Sequence, residues 1–296
     1  MWADSWQRDH LARFTHAIID FTSVVFEDWH QELPVEPLVP HYFRSDADVM
    51  PVLLTLDSLS DAHLDLLCEN LEQAKDSPYM LLLSCLLHVA PDTHPKILAH
   101  HLTQLLMLDG PGREGVNCLL RYHHKSIFLH LLRILSPKRV RQLFGPVSVW
   151  SVPFQQEWTD FPAPDIAGPI PTYWAIDAEQ AARLGRIDLI NNVLIRWKEK
   201  TGLRWASVEA FHADAENVDR ILCFAGHHYR LRANEDLLLF AEHALLHGED
   251  FHTHPTLQPL LQTVQEKGWG YAAGSARITS EDWKAIAAAS NRRLNK

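Results

Sequence analysis

The stretch LLRYHHKSIFLHLLRILSPKRVRQLFGPVSVWSVPFQQEW, residues 119–158, reads as a strand, a helical segment, a turn and a second strand. An apolar run from Val116 closes on Arg121 and Tyr122. Ile127, Leu131, Ile134 and Leu135 then recur at helical spacing on one face, while Arg133, Lys138, Arg139 and Arg141 suit the water-facing side. Pro137 stands where one helix stops or a second begins. Phe144-Gly145-Pro146 punctuates the end, because Gly accepts a positive φ and Pro fixes its own φ and lacks an N–H. Phe144 is expected in the core. Val147, Val149 and Val152 alternate with Ser148, Trp150 and Ser151 as a short strand does. That phase places Trp150 on the opposite face from the valines, pointing outwards.

Working outward toward the N-terminus, residues 5–30 carry Leu11, Phe14, Ile18, Phe21 and Val25 at steps of three and four, which predicts a helix. Pro51–Leu56, Tyr79–Leu87 and Val116–Tyr122 are short apolar runs compatible with strands. Between them lie helical patterns: one capped by Ser60 with Leu64, Leu67, Cys68 and Leu71 on a face, and one over Ile97–Met107. Strands alternating with amphipathic helices predict an α/β lobe whose small sheet is mostly buried, over residues 1–165. Pro162, Pro164, Gly168, Pro169 and Pro171 then break the pattern and suggest a linker. Beyond it, Asp177–Trp197, Ser207–Phe224, Asn234–Gly248, Thr256–Lys267 and Thr279–Ala289 all read as helix, predicting an all-helical lobe over 170–296.

Composition bounds the function. Hydrophobic residues make up 47% and charged residues 22% of the 296, the balance of a globular chain with a real core. No run approaches the ~20 apolar residues of a membrane span. The start, Met1-Trp2-Ala3-Asp4, lacks the basic-then-apolar layout of a secretory leader, and the four cysteines form no CxxC, so a cytoplasmic protein with reduced thiols is expected. The net charge is −10, unevenly spread: residues 1–112 hold 17 acids and 5 bases, whereas 113–141 hold 7 bases and 1 acid. Overall acidity argues against a nucleic-acid partner, whose binding rests on neutralised phosphates. The basic segment can meet an acidic partner or pair internally with the acidic N-terminal part.

Nineteen histidines raise the question of metal chemistry. His243 and His247 are spaced i, i+4, with His252 and His254 close behind, as in zinc hydrolases of the HExxH kind. Ala244-Leu245-Leu246 stands between the first pair, so the general-base Glu is absent from its place. A metal-dependent hydrolase built on His243, His247, His252 and His254 is therefore the rival reading, and the expectation is no metal, no cofactor and no catalytic residue. No phosphate-binding loop, dinucleotide fingerprint or nucleophile elbow occurs. Cys85 lies in an apolar run and reads as core. Of ten tryptophans, Trp150, Trp158, Trp174, Trp197 and Trp205 gather around the expected lobe junction, where core packing and partner contact both suit them.

Leu120-Arg121-Tyr122, Leu143-Phe144-Gly145-Pro146-Val147, Trp150 and Trp158 together resemble the effector-chaperone, or adaptor, family of type VI secretion. Glu235-Asp236, Phe240, Gly248, Phe251 and Pro255 resemble that family's C-terminal region. The family has Asp-Pro two residues after the aromatic, a place held here by His124-Lys125. The resemblance implies a cytoplasmic, non-enzymatic adaptor whose partners are a cognate toxic effector and the VgrG spike protein. It makes Arg121, Tyr122, Trp150 and Trp158 the candidate partner-binding residues, although Arg121 equally suits a structural pairing with a carboxylate.

Overall fold

The computed structural model describes residues 8–20, 33–76, 83–108, 118–155, 157–169, 171 and 174–294. The chain divides into two units, residues 1–181 and 182–296. The N-terminal unit is an α/β lobe and the C-terminal unit is helical, as the sequence predicts.

The first unit is built on a six-stranded antiparallel sheet of β1 (His16–Ile19), β2 (Val35–Pro37), β3 (Val52–Thr55), β4 (Leu83–Val89), β7 (Val147–Phe154) and β8 (Glu157–Pro162), in the order β2-β3-β1-β4-β7-β8. A separate two-stranded ladder joins β5 (Met107–Leu108) to β6 (Cys118–Leu119). Four helices belong with it: α1 (Asp61–Asp76), α2 (Pro95–Leu105), α3 (Lys125–Ile134) and α4 (Pro137–Phe144). A 3-10 segment covers His41–Val49.

Both faces of the sheet are covered. On one, Ala17, Ile19, Val52, Leu54, Leu83 and Leu86 pack with Leu67 and Cys68 of α1, and with Leu11 and Phe14 from the chain before β1. On the other, Trp150 of β7 meets the aromatic residues of α3 and α4. Its ring stacks on Phe128 at 5.1 Å and stands edge-on to Phe144 at 6.2 Å. Phe161 of β8 closes on Phe128 at 5.6 Å. Such aromatic pairs add stabilisation beyond the area they bury.

Two local readings change and a third is resolved. Of the helix expected over 5–30, residues 5–7 and 21–30 lie outside the described residues, and the described part gives way to β1: His16-Ala17-Ile18-Ile19 pairs with β3 on one side and β4 on the other, and two ladders outweigh a helical period. Of the run Val116–Tyr122, residues 116 and 117 lie outside the described residues, and the rest contributes the short β6. The helical pattern after it breaks into α3 and α4 because Pro137 occupies the first turn of a new helix, where its missing N–H costs nothing. Cys85 is fully buried in β4, as expected of a core thiol.

The Pro-rich segment begins as sheet and not as linker. Phe161 and Pro162 pair with Trp150 and Val149, and the Ala163 N–H donates to the Ser148 carbonyl at 2.8 Å. The unit boundary at Ala181/Ala182 accordingly lies beyond residue 165, inside α5 (Ala178–Leu184). Asp165, Ala167, Gly168 and Pro169 are exposed and outside regular structure. Brief elastase treatment is therefore expected to nick at Ala167 before any site within the helices. Protection of 163–169 while a helix is cut would sink this expectation.

The second unit contains α6 (Ile187–Thr201), α7 (Val208–His228), α8 (Asn234–His247), α9 (Gln258–Lys267), α10 (Tyr271–Ser275) and α11 (Ser280–Leu294). Ser207 caps α7 by accepting from the Ala210 N–H, and Glu235 and Asp236 sit in the first turn of α8, where carboxylates complement the helix dipole. Leu222, Ala225, Phe240, Ala241, Phe251, Leu261 and Tyr271 form its core. Asp219 is buried in α7 and accepts from Arg183 Nε at 3.2 Å and Arg186 Nε at 2.6 Å. Two guanidinium groups on one buried carboxylate fix the start of α6 against α7.

Candidate functional site

Tyr122 lies between β6 and α3 with 0% exposure. Its hydroxyl donates to the Leu102 carbonyl of α2 at 2.9 Å, and its ring stands edge-on to Trp150 at 5.8 Å. Arg121 leans on Asp20, just after β1, with Nη1 3.5 Å from Oδ2. The same carboxylate oxygen lies 3.0 Å from His123 Nε2, and both Asp20 and His123 are buried. The Arg-Tyr pair thus ties the entry of α3 to β1 and α2.

His124 is the N-cap of α3, and its Nδ1 accepts from the Ser126 N–H at 3.3 Å. An Asp-Pro pair at these two positions would be an N-cap carboxylate followed by a first-turn proline. The His124 ring performs the capping part of that task. It does so as a neutral imidazole, since burial pushes its pKa down. Lys125 follows it into partial burial, which pushes its pKa down to about 8.

The four candidate partner residues therefore do not form a surface. Trp150 and Tyr122 are both 0% exposed and belong to the core. The reason for Trp150 is a β-bulge. In the β4–β7 ladder Val89 faces Val147 but His88 faces Val149, so Ser148 is an extra residue. One inserted residue flips every later side chain, which brings Trp150 and Val152 to the face that Val147 occupies. Trp158 is half-buried against the core of the opposite face, 5.9 Å from the His10 ring. Arg121, like Trp158, keeps partial exposure, its side chain at 38%.

The histidines of α8 are packing groups. His243 Nδ1 lies 2.8 Å from the Tyr271 hydroxyl, and the rings of His243 and His247 rest on Trp283 at 4.1 Å and 4.6 Å. His252 Nδ1 lies 2.8 Å from the Tyr229 hydroxyl, and His254 accepts from the Thr256 N–H. Among the described residues no three His, Cys, Asp or Glu side chains converge as a metal site would require. The rival hydrolase reading loses its ligand set.

These buried imidazoles make stability pH-dependent. Burial first, then His247 and Lys200, push His243 down to about 3. Burial also lowers His101, His247 and His252. Unfolded histidine takes up its proton near ~6.5, so below that pH the unfolded chain binds more protons than the native one. The contribution is complete above the unfolded pKa and is lost as pH falls toward the folded one. Melting temperature should fall steadily on acidification from about pH 7 to about pH 5, below the ordinary histidine range. A flat or rising profile at constant ionic strength would remove the effect.

The groove of the first unit offers a different kind of site. It encloses about 640 Å³ between α2, α4 and the start of the 3-10 segment. Pro40, Tyr42, Leu105, Met107 and Trp174 supply apolar surface, and His41, His100, His101, Gln104, Arg141 and Gln142 supply polar groups. Tyr42 is 72% exposed. Gly145 closes one wall with φ +53°, and a Cβ there would fall 2.3 Å from the His101 ring. Glycine is thus required twice, by conformation and by space. His101 donates from Nε2 to the Leu143 carbonyl at 3.1 Å, and Arg141 Nη1 donates to the Gly145 carbonyl at 2.6 Å. The Phe-Gly-Pro turn is legible in the sequence, but Tyr42 and Trp174 carry no local signal that brings them beside it.

Comparison with known proteins finds no matching family model, no matching curated protein and no matching solved structure.

Proposed function

We propose that this protein is a cytoplasmic adaptor of type VI secretion that binds a cognate toxic effector and helps load it onto the VgrG spike, without performing chemistry of its own. The observation that carries this reading is the groove beside the Gly145 turn, where exposed Tyr42 and the apolar residues Leu105 and Met107 offer a partner segment a place to bury. Of the motif residues that resemble the adaptor family, Gly145 lines it. Gly145 and Arg141 are part of its wall, while Phe144, Trp150 and Tyr122 form the packed core behind α4 and α3. A packed scaffold with an apolar recess suits holding a protein segment that would otherwise aggregate. Specificity then comes from the shape and charge of the recess.

Co-expression of the tagged protein with the products of adjacent reading frames tests this. A toxin-type neighbour should co-elute with it, and should be less soluble when expressed alone. VgrG should join the complex when effector is present. If every neighbouring product elutes separately, the adaptor reading fails. Retention of stoichiometric zinc together with chelator-sensitive hydrolysis would replace it with the enzyme reading.

A further inference from the structure

We propose that the groove receives an acidic peptide segment of the carried effector, with an apolar anchor beside Leu105 and Met107 and a carboxylate on Arg141. This deepens the adaptor reading and rests on it.

Charge complementarity argues for such an occupant. The protein carries a net charge of −10, and its first 112 residues hold 17 acids against 5 bases. Yet among the described residues the groove is lined by no Asp or Glu at all, and by Arg141 and three histidines instead. Arg141 uses Nη1 on the Gly145 carbonyl, and no carboxylate pairs with it among the described residues. Guanidinium has five N–H donors in a planar fork suited to a carboxylate. Trp174 adds an aromatic wall to the groove and is itself 7% exposed.

The shape argues for a peptide rather than a small anion. His100, His101 and Gln104 of α2 share a helical stripe with Ile97, which is 61% exposed. Seven residues of helix separate Ile97 from Gln104, about 10 Å. The groove wall is therefore prolonged along α2 to one exposed apolar side chain, a length that suits an extended or helical segment.

A peptide library displayed on phage, panned against the full-length protein, tests this directly. Enriched sequences should pair Asp or Glu with Leu, Ile, Phe or Trp. Synthetic versions should bind Arg141→Glu about tenfold more weakly. Because Arg141 also bonds to the Gly145 carbonyl, a second pair of variants keeps the test independent of folding. Gln104 is exposed on the groove wall, so Gln104→Glu should weaken the same peptides about threefold and Gln104→Lys should strengthen them by a similar factor. Unchanged melting temperatures would exclude a folding effect. Enrichment without an acidic bias, no enrichment, or equal binding to Gln104→Glu and Gln104→Lys would overturn the proposal. So would full competition by free glutamate at the peptide's own concentration, which would mark a small-anion site. Should a neighbouring effector co-purify unaltered with both Arg141→Glu and Gln104→Glu, the groove is not its seat while the adaptor reading stands. Failure of any effector to bind the unaltered protein would instead remove the adaptor reading.

Discussion

Trp150→Ala is expected to be among the most damaging single substitutions in the first unit. The indole is 0% exposed on β7, one strand in from the sheet edge, stacked on Phe128 and edge-on to Tyr122 and Phe144. Truncating a core aromatic of this kind costs about 3–5 kcal/mol through lost burial and the cavity left behind. At about 2–4 °C per kcal/mol, the melting temperature should fall on the order of 10 °C. Trp150→Phe should lose much less, because it keeps a ring on Phe128 and removes an indole N–H that has no acceptor among the described residues. Thermal melts of the two variants decide the matter. A Trp150→Ala protein that melts like the parent but loses its effector would put this side chain at an interface and contradict its burial.

Phe144→Ala should be comparably severe. Phe144 is the last residue of α4, 1% exposed, and it packs against both Phe128 and Trp150. Its loss should cost about 3–5 kcal/mol and lower soluble yield before any binding is affected. Because the ring touches Trp150, the two truncations should not add: the double variant should be less unstable than the sum by about 0.5–1.5 kcal/mol. Denaturant unfolding of both single variants and the double variant measures that coupling. Strict additivity would mean the two rings stabilise different cores.

Phe144 shows how far a sequence can be read. Its burial follows from local pattern, because an apolar residue closes an amphipathic helix immediately before a Gly-Pro turn. The same is true of the Ser60 cap, whose Oγ accepts from the His63 N–H, and of the new helix at Pro137. The helical character of the second unit is legible for the same reason, and Gly248 and Gly268 end helices where expected. Each of these features depends on dihedral preferences and hydrogen bonds within a few residues.

Residues 16–19 and Trp150 show where such reading stops. His16–Ile19 carries a helical period and is a strand, because β3 and β4, from distant parts of the chain, pair with both of its edges. The candidate site is split in the same way. Arg141 and Gly145 come from one readable turn, whereas Tyr42 and Trp174 reach it from far along the chain.

By itself, the amino-acid order determined the α/β-then-helical plan, most helix starts and ends, and the burial of Phe144, since all of these are settled by neighbouring residues. Only the tertiary structure decided that β1 is a strand, that Trp150 faces inward and that a groove lined by no carboxylate among the described residues forms beside Gly145. The physical reason is that a side chain's face depends on pairing across the sheet, where the single extra residue at Ser148 reverses it.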